Sequence, residues 1–248
     1  MKIIYILLIL VCIIVLILIA ISLPRRYTER LHNLEAIDDP KVVEGFEKMA
    51  KTPPFIWIRK QITSKVKEYE PTGTIVDLGC GSGNLIVQLA KNFPDQSIIG
   101  VDISQEMLNA AKKRVEREVP SRGIEFKKGS SQSLPFPDNS VDFLISSLSL
   151  HHWLDPLEAL NEIFRVLQKG GSLIIFDFRR NSRNFFYNLL SFATKIVVPK
   201  ALKRINEPLG SLLSSYSENE IKEIFAGSQF QEYEIEPKMA WMFIIAKK

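Results

Sequence analysis

The hydrophobic pattern divides the chain into three regimes. From Ile3 to Leu23 almost every position is apolar, 21 residues without a charge, interrupted only by Tyr5, Cys12 and Ser22. From residue 74 to 178, short apolar runs alternate with amphipathic ones. Runs rich in β-type residues predict strands at 74–78, 97–101 (ending at Asp102), 124–127, 141–146 and 172–178. The stretches between them predict helices at about 84–93, 105–118 and 156–167, the last ending at Gly170-Gly171. The run at 141–146 is nearly continuous in apolar residues, as a strand buried on both faces requires. Strands alternating with helices predict an α/β fold with a doubly wound, mostly parallel sheet.

After Phe178 the alternation stops. Residues 179–216 carry two helix-like stretches where a strand would be due. In the first, Phe185, Phe186, Leu189, Leu190, Ala193, Ile196 and Val197 share one helical face; the second contains Leu202, Ile205, Leu209, Leu212 and Leu213. Ser217 and Glu220 have capping-box spacing and open another helix. Strand-like runs at 230–235 and 241–246, separated by Glu236-Pro237-Lys238, predict a C-terminal antiparallel hairpin. Upstream of the sheet, Asp38-Asp39-Pro40 and Pro53-Pro54 bracket two further helices, around 41–51 and 55–69. The domains expected are thus 1–24, 25–72 and 73–248, with 179–216 a helical lid insertion in the last.

A helix over the first apolar run would be roughly 30 Å long, the thickness of a bilayer core, with Pro24 ending it. Each central Leu or Ile contributes roughly −0.3 to −0.6 kcal/mol to insertion. The run is longer than the roughly 7–15 apolar residues of a secretory signal, so a transmembrane anchor is expected, although Ala20 and Ser22 resemble residues before a cleavage site. Lys2 precedes the run and Arg25, Arg26 and Arg30 follow it, which puts the main domain on the cytoplasmic side of a single-pass protein. Net charge is +4, too mild to imply a nucleic-acid partner. Three histidines and two cysteines show no metal-ligand spacing, and no disulfide framework is implied.

The most informative chemistry lies at residues 76–84, Val-Asp-Leu-Gly-Cys-Gly-Ser-Gly-Asn. A buried strand that runs into alternating glycines and then opens a helix builds a backbone cradle for a ligand. Asp102 ends the next strand, 23 positions after Gly79, close to the spacing of a carboxylate that grips a ribose diol. The glycines at 79, 81 and 83 alternate singly, unlike the spacing usual for dinucleotide binding.

These two segments, together with Leu134-Pro135-Phe136-Pro137-Asp138-Asn139-Ser140-Val141-Asp142, Leu150-His151-His152-Trp153 and Glu162 to Leu167 before Gly170-Gly171, resemble the class I S-adenosylmethionine-dependent methyltransferases. Within that class the chain is most similar to the small-molecule methyltransferases of ubiquinone and menaquinone biosynthesis. The resemblance covers roughly residues 73–178. It implies a Rossmann-like sheet and S-adenosyl-L-methionine as cofactor. It places Asp77, Gly79, Cys80, Gly81 and Gly83 around the methionine part, Asp102 on the ribose, and Ile103 and Met107 against the adenine. Ser130, Ser131 and Gln132 would meet the adenine edge, and Ser147 and Leu148 would line the sulfonium pocket. Many relatives carry an aspartate where Ser130 stands, so the adenine contact here lacks charge assistance.

No catalytic side chain is dictated, because methyl transfer asks chiefly for alignment of nucleophile, methyl carbon and sulfur. His151 and His152, after the fourth strand, are candidates for taking a proton from the acceptor. The insertion, with Phe185, Phe186, Tyr187 and Phe192, suits a greasy acceptor such as a quinone, an isoprenoid or a lipid. Its Lys195, Lys200, Lys203 and Arg204 suit anionic headgroups or simple solvation. The expectation is a membrane-anchored methyltransferase acting on a small lipophilic acceptor. Methylation of nucleic acid or protein, and a non-catalytic cofactor-binding scaffold, are the rival readings.

Overall fold

The structure, a computed structural model, describes residues 2–22, 28–31, 39–120 and 123–248. Leu23, Pro24, Arg25, Arg26 and Asp38, on which the end of the apolar run, its orientation and one breaker were read, lie outside the described residues. Helix α1 (Lys2–Ser22) is followed by α2 (Pro40–Ala50) and α3 (Pro53–Glu68), each with proline in its first turn, where no amide donor is required. Then come β1 (Thr74–Leu78), α4 (Asn84–Asn92), β2 (Ser97–Asp102), α5 (Gln105–Glu118), β3 (Glu125–Lys128), β4 (Val141–Ser147), α6 (Pro156–Val166) and β5 (Leu167–Phe178). The last third contains α7 (Asn184–Phe192), a π-helical turn (Ala193–Val197), α8 (Lys200–Arg204), α9 (Leu209–Ser214), α10 (Glu218–Ala226), β6 (Glu232–Pro237) and β7 (Trp241–Lys247).

The seven strands form one sheet in the order β3-β2-β1-β4-β5-β7-β6. Strands β1 to β5 pair in parallel, while β7 is antiparallel to both β5 and β6. The chain reverses its winding between β1 and β4, and the crevice beyond the carboxyl ends of those strands is where open α/β sheets bind ligands. Apolar layers cover both faces: Ile163, Leu173 and Phe225 pack on one, Ile86, Ile98 and Phe176 on the other.

Two local departures have physical causes. Strand β5 begins at Leu167 rather than Ser172, since Leu167 pairs with Val141 and the register then shifts before Phe143 pairs with Ser172. The paired glycines therefore lie inside an irregular strand instead of ending a helix, with Gly170 at φ +81°. The insertion is broken into four short pieces rather than two helices, and no residue of α7 is buried. Tyr187 and Leu190 pack, partly buried, against a small cluster of Phe178, Leu209 and Leu212, while Leu189 and Phe192 stay exposed. The capping box of α10 forms with both reciprocal bonds.

Helix α1 presents a stretch, Ile3–Ala20, with a mean hydropathy of 3.7 and none of it buried. Among the described residues it is the one helix long and apolar enough to cross a membrane or to serve as a signal. Residues 28–31 lie on the globular part. Arg30 donates from Nε to Ser214 O (2.6 Å) and from Nη2 to His151 O (3.0 Å), and stacks over the Tyr216 ring. Leu31 N donates to Leu213 O (3.1 Å), and Arg180 donates to Thr28 O. Arg30 is thus committed to the fold.

Candidate active site

The site begins where β1 ends. Gly79 and Cys80 donate their amides to Val101 O at 2.8 and 3.0 Å, which turns the chain sharply across the end of β2. Gly79 sits at φ +74°, and a Cβ there would come within 2.5 Å of Ser149 Oγ. Gly81 sits at φ +52° with nothing within 4 Å of its would-be Cβ. Gly79→Ala is expected to cost about 2 kcal/mol or more through the backbone penalty plus the overlap, whereas Gly81→Ala should cost only about 1 kcal/mol. Urea midpoints of the two variants check the difference.

Asp102, at the end of β2, is buried, and both its oxygens face amides. Gly81 N donates to Oδ2 (2.8 Å) and Ser104 N to Oδ1 (2.9 Å). Asp77, on β1, is 1% exposed, and neither of its oxygens has a hydrogen-bond partner. Burial, reinforced by the Asp102 charge, pushes its pKa up to about 8. A buried acid without donors is costly as an anion and marks a place for a cation. Burial, with Asp77 and Asp102 beside it, also drives the Cys80 thiol well above its usual range, so it is no nucleophile at neutral pH.

The glycine turn, Cys80 and Asp102 open into one cavity of about 490 Å³. Gly79, Cys80 and Gly81 form one wall, and Asp102, Ile103 and Met107 a second. Ser130, Ser131 and Gln132 form a third, where Gln132 also bonds to Glu158. Ser147 and Leu148 lie at the floor, Leu148 held at φ +53° with its amide on Phe176 O. Asp77 and Gly83 stand behind this surface rather than on it.

The two histidines separate. His151 is 2% exposed and does not line the cavity. Its Nδ1 lies 2.7 Å from Asp177 Oδ1, and its amide donates to Asp177 Oδ2 (3.0 Å). His152, next along the same 3-10 turn, lines the cavity. Asp177→Ala leaves the buried His151 amide and Nδ1 without their carboxylate partner and is expected to cost at least about 1–3 kcal/mol in denaturant titrations.

The far end of the cavity is apolar and comes from an unexpected quarter. Phe46, Met49, Phe55 and Ile58, from α2 and α3, line it, while Phe185, Phe186, Tyr187 and Phe192 do not. The insertion contributes Glu207, Pro208 and Ser211 instead. Glu207, 1% exposed, accepts from the Ser211 hydroxyl. Its only sequence signal was an acid before a proline between two apolar stretches. Among the described residues no cluster suited to a metal ion occurs.

The winding of the sheet, the glycine turn and the acid on the neighbouring strand agree with the resemblance to class I methyltransferases read from the sequence. Residues 76–175 match the family described as methyltransferase domain. It is 30% identical over 158 residues to a demethylmenaquinone methyltransferase of Bacteroides fragilis, covering 64% of this chain and 60% of that protein. To a 2-phytyl-1,4-naphtoquinone methyltransferase of Nostoc it is 33% identical over 148 residues, covering 59% of this chain and 64% of the relative. The match therefore spans about three-fifths of these relatives' length. Among solved structures, an S-adenosylmethionine-dependent methyltransferase of Aquifex aeolicus superposes with a TM-score of 0.58 at 22% identity, over 85% of this chain and 94% of that one. The plantazolicin methyltransferase BpumL, solved with S-adenosylhomocysteine, gives 0.66 at 15% identity, over 85% and 92%.

Proposed function

We propose that this protein transfers the methyl group of S-adenosyl-L-methionine to a small, lipophilic, quinone-like acceptor at a membrane surface. The observation that carries the cofactor assignment is the pair of carboxylates at the glycine turn. Asp102, on the cavity wall, fits a ribose diol, and Asp77, buried without donors behind the glycine turn, backs that turn with an acid that favours the ammonium of the methionine part. The open space at Gly81 gives the methionine part backbone to lie against.

Bound there, the cofactor supplies an electrophilic methyl group on a sulfonium. The residues do the rest by placement. The Gly79–Gly81 turn, backed by Asp77, holds the methionine end and Asp102 the ribose, Ser130 and Ser131 take the adenine edge as uncharged partners, and Ser147 and Leu148 bound the reacting centre. Phe46, Met49 and Phe55 hold an apolar acceptor and keep water out. His152, on the cavity wall, is the histidine positioned to accept the acceptor's proton.

The acceptor class is supported by the quinone methyl transfer for which the two relatives are named and by the apolar wall from α2 and α3. Membrane attachment is supported by α1, which we assign as a single-pass anchor with the catalytic part in the cytoplasm; residues 25–72 then link it to a methyltransferase domain at 73–248. Incubating the purified full chain with radiolabelled S-adenosylmethionine and a host membrane extract tests the reading. Label is expected in the organic lipid fraction. Label confined to protein or nucleic acid would overturn the acceptor class, and cofactor binding without any transfer would leave a scaffold.

A further inference from the structure

One side of the insertion's first helix packs on the core, but a second apolar side is left outward. Leu189, Phe192, Ile196 and Val197 are 49%, 57%, 63% and 69% exposed. Their spacing puts them along one side of α7 and its π-helical continuation. The wider turn there is closed by Val198 N donating to Ala193 O (3.0 Å), and it leaves two consecutive apolar side chains outward. A contiguous apolar patch of this kind on a domain surface marks a contact with something else.

Two observations say what that is. Lys195 and Lys200 are exposed beside the patch, and Lys203, also exposed, follows one turn later with its ammonium on Ile196 O. An apolar face rimmed by lysines is the composition of a helix lying in the headgroup–acyl boundary of an anionic bilayer. Second, the α7 backbone comes within 8 Å of α1, whose stretch Ile3–Ala20 is apolar and unburied. A segment of the globular part that lies beside a spanning helix is held at the lipid surface.

We propose that α7 and the π-helical turn form a second membrane contact, seated in anionic lipid beside α1. This inference rests on the reading of α1 as a span. Its consequence for the site is direct. The seated segment leads, through α8, into Glu207, Pro208 and Ser211 on the cavity wall. A lipophilic acceptor would then reach the cavity from the bilayer without crossing water, and Lys195 and Lys200 would favour membranes rich in acidic lipid.

The test uses the full chain in nanodiscs of mixed neutral and anionic lipid. A solvent-sensitive fluorophore is attached in turn to native Cys12 in α1, to Phe192→Cys in a Cys12→Ser background, and to Lys222→Cys on exposed α10 in that same background; Cys80 is buried and stays unlabelled. The label at 192 is expected to be quenched by nitroxide near the headgroups and shielded from iodide, and the label at 222 to show the reverse. Lys195→Gln and Lys200→Gln should each shift the seated–unseated equilibrium by about fivefold, as about 1 kcal/mol per lysine implies. If iodide reaches 192 as freely as 222 while the label at Cys12 responds only to nitroxide deep in the chains, the second contact is refuted and the span stands. Shielding at 192 from both quenchers would also refute it, since protein would then cover the patch. Iodide access at Cys12 would overturn both.

Discussion

Asp102→Ala is expected to lower affinity for S-adenosylhomocysteine by at least about 100-fold in calorimetric titrations. The ribose diol would give two hydrogen bonds to a carboxylate, each worth about 1.5–3 kcal/mol, and about 2.7 kcal/mol already corresponds to that factor. The same carboxylate holds the Gly81 and Ser104 amides, so the alanine variant also loosens the turn. Asp102→Asn separates the two effects. Its single oxygen can satisfy one amide while its NH2 leaves the other without an acceptor, at about 1–3 kcal/mol, so it should keep the turn better than alanine and still bind weakly. Unchanged affinity in both variants would remove Asp102 from the cofactor site.

Asp77→Asn should have the largest effect on pH dependence. The folded carboxyl titrates at about 8, far above the unfolded value near 3.9. The folded state therefore holds its proton more tightly, and the stability this group contributes is whole below about pH 4 and drains away as pH rises to about 8. An asparagine mimics the protonated acid at every pH. The variant should match wild type at pH 4 and exceed it at pH 8.5 by up to about 5 kcal/mol, from about 1.36 kcal/mol per unit of raised pKa. Denaturant titrations at the two pH values check this.

An ammonium placed beside Asp77 reverses the preference. Binding of S-adenosylhomocysteine to wild type at pH 7 should then release close to one proton, read as a dependence of binding enthalpy on buffer ionisation heat. Asp77→Asn should release none and bind more weakly. Proton-neutral binding by wild type would mean that the ammonium lies elsewhere.

The central strands were legible because β1 and β4 are short apolar runs, β1 bounded by Gly73 and Gly79 and β4 preceded by the turn residues Pro137-Asp138-Asn139-Ser140, and such runs have few alternatives once helices flank them. The glycine turn and Asp102 were legible because the backbone shape they need restricts residue choice. Other features depend on partners remote in sequence. Nothing in the His151-His152 pair says which ring faces the cavity; Asp177, 26 residues on, captures one of them. The residues at 185–197 have true helical periodicity, but periodicity records only that a face is apolar, not whether protein or lipid covers it. That is why the aromatic residues of this segment were read onto the cavity when α2 and α3 supply its wall. Glu207 belongs to an irregular turn with no period to reveal it.

The strand of chain at residues 28–31 sets a leash. Ser22 ends α1, and Thr28, six residues later, is already bonded to Arg180 on the globular part. Fully stretched, six residues reach about 21 Å. If α1 is embedded, the catalytic unit is confined to a shallow layer over the bilayer and cannot diffuse to meet acceptors elsewhere. Arg30 docks on the His151 carbonyl and over Tyr216, next to the cavity-lining turn, so the leash is moored close to the chemistry rather than at a remote corner. Turnover would then be governed by lateral supply of acceptor within the plane of the membrane, and diluting the protein's host vesicles with empty ones should leave the initial rate per enzyme unchanged while limiting the total acceptor each enzyme can consume.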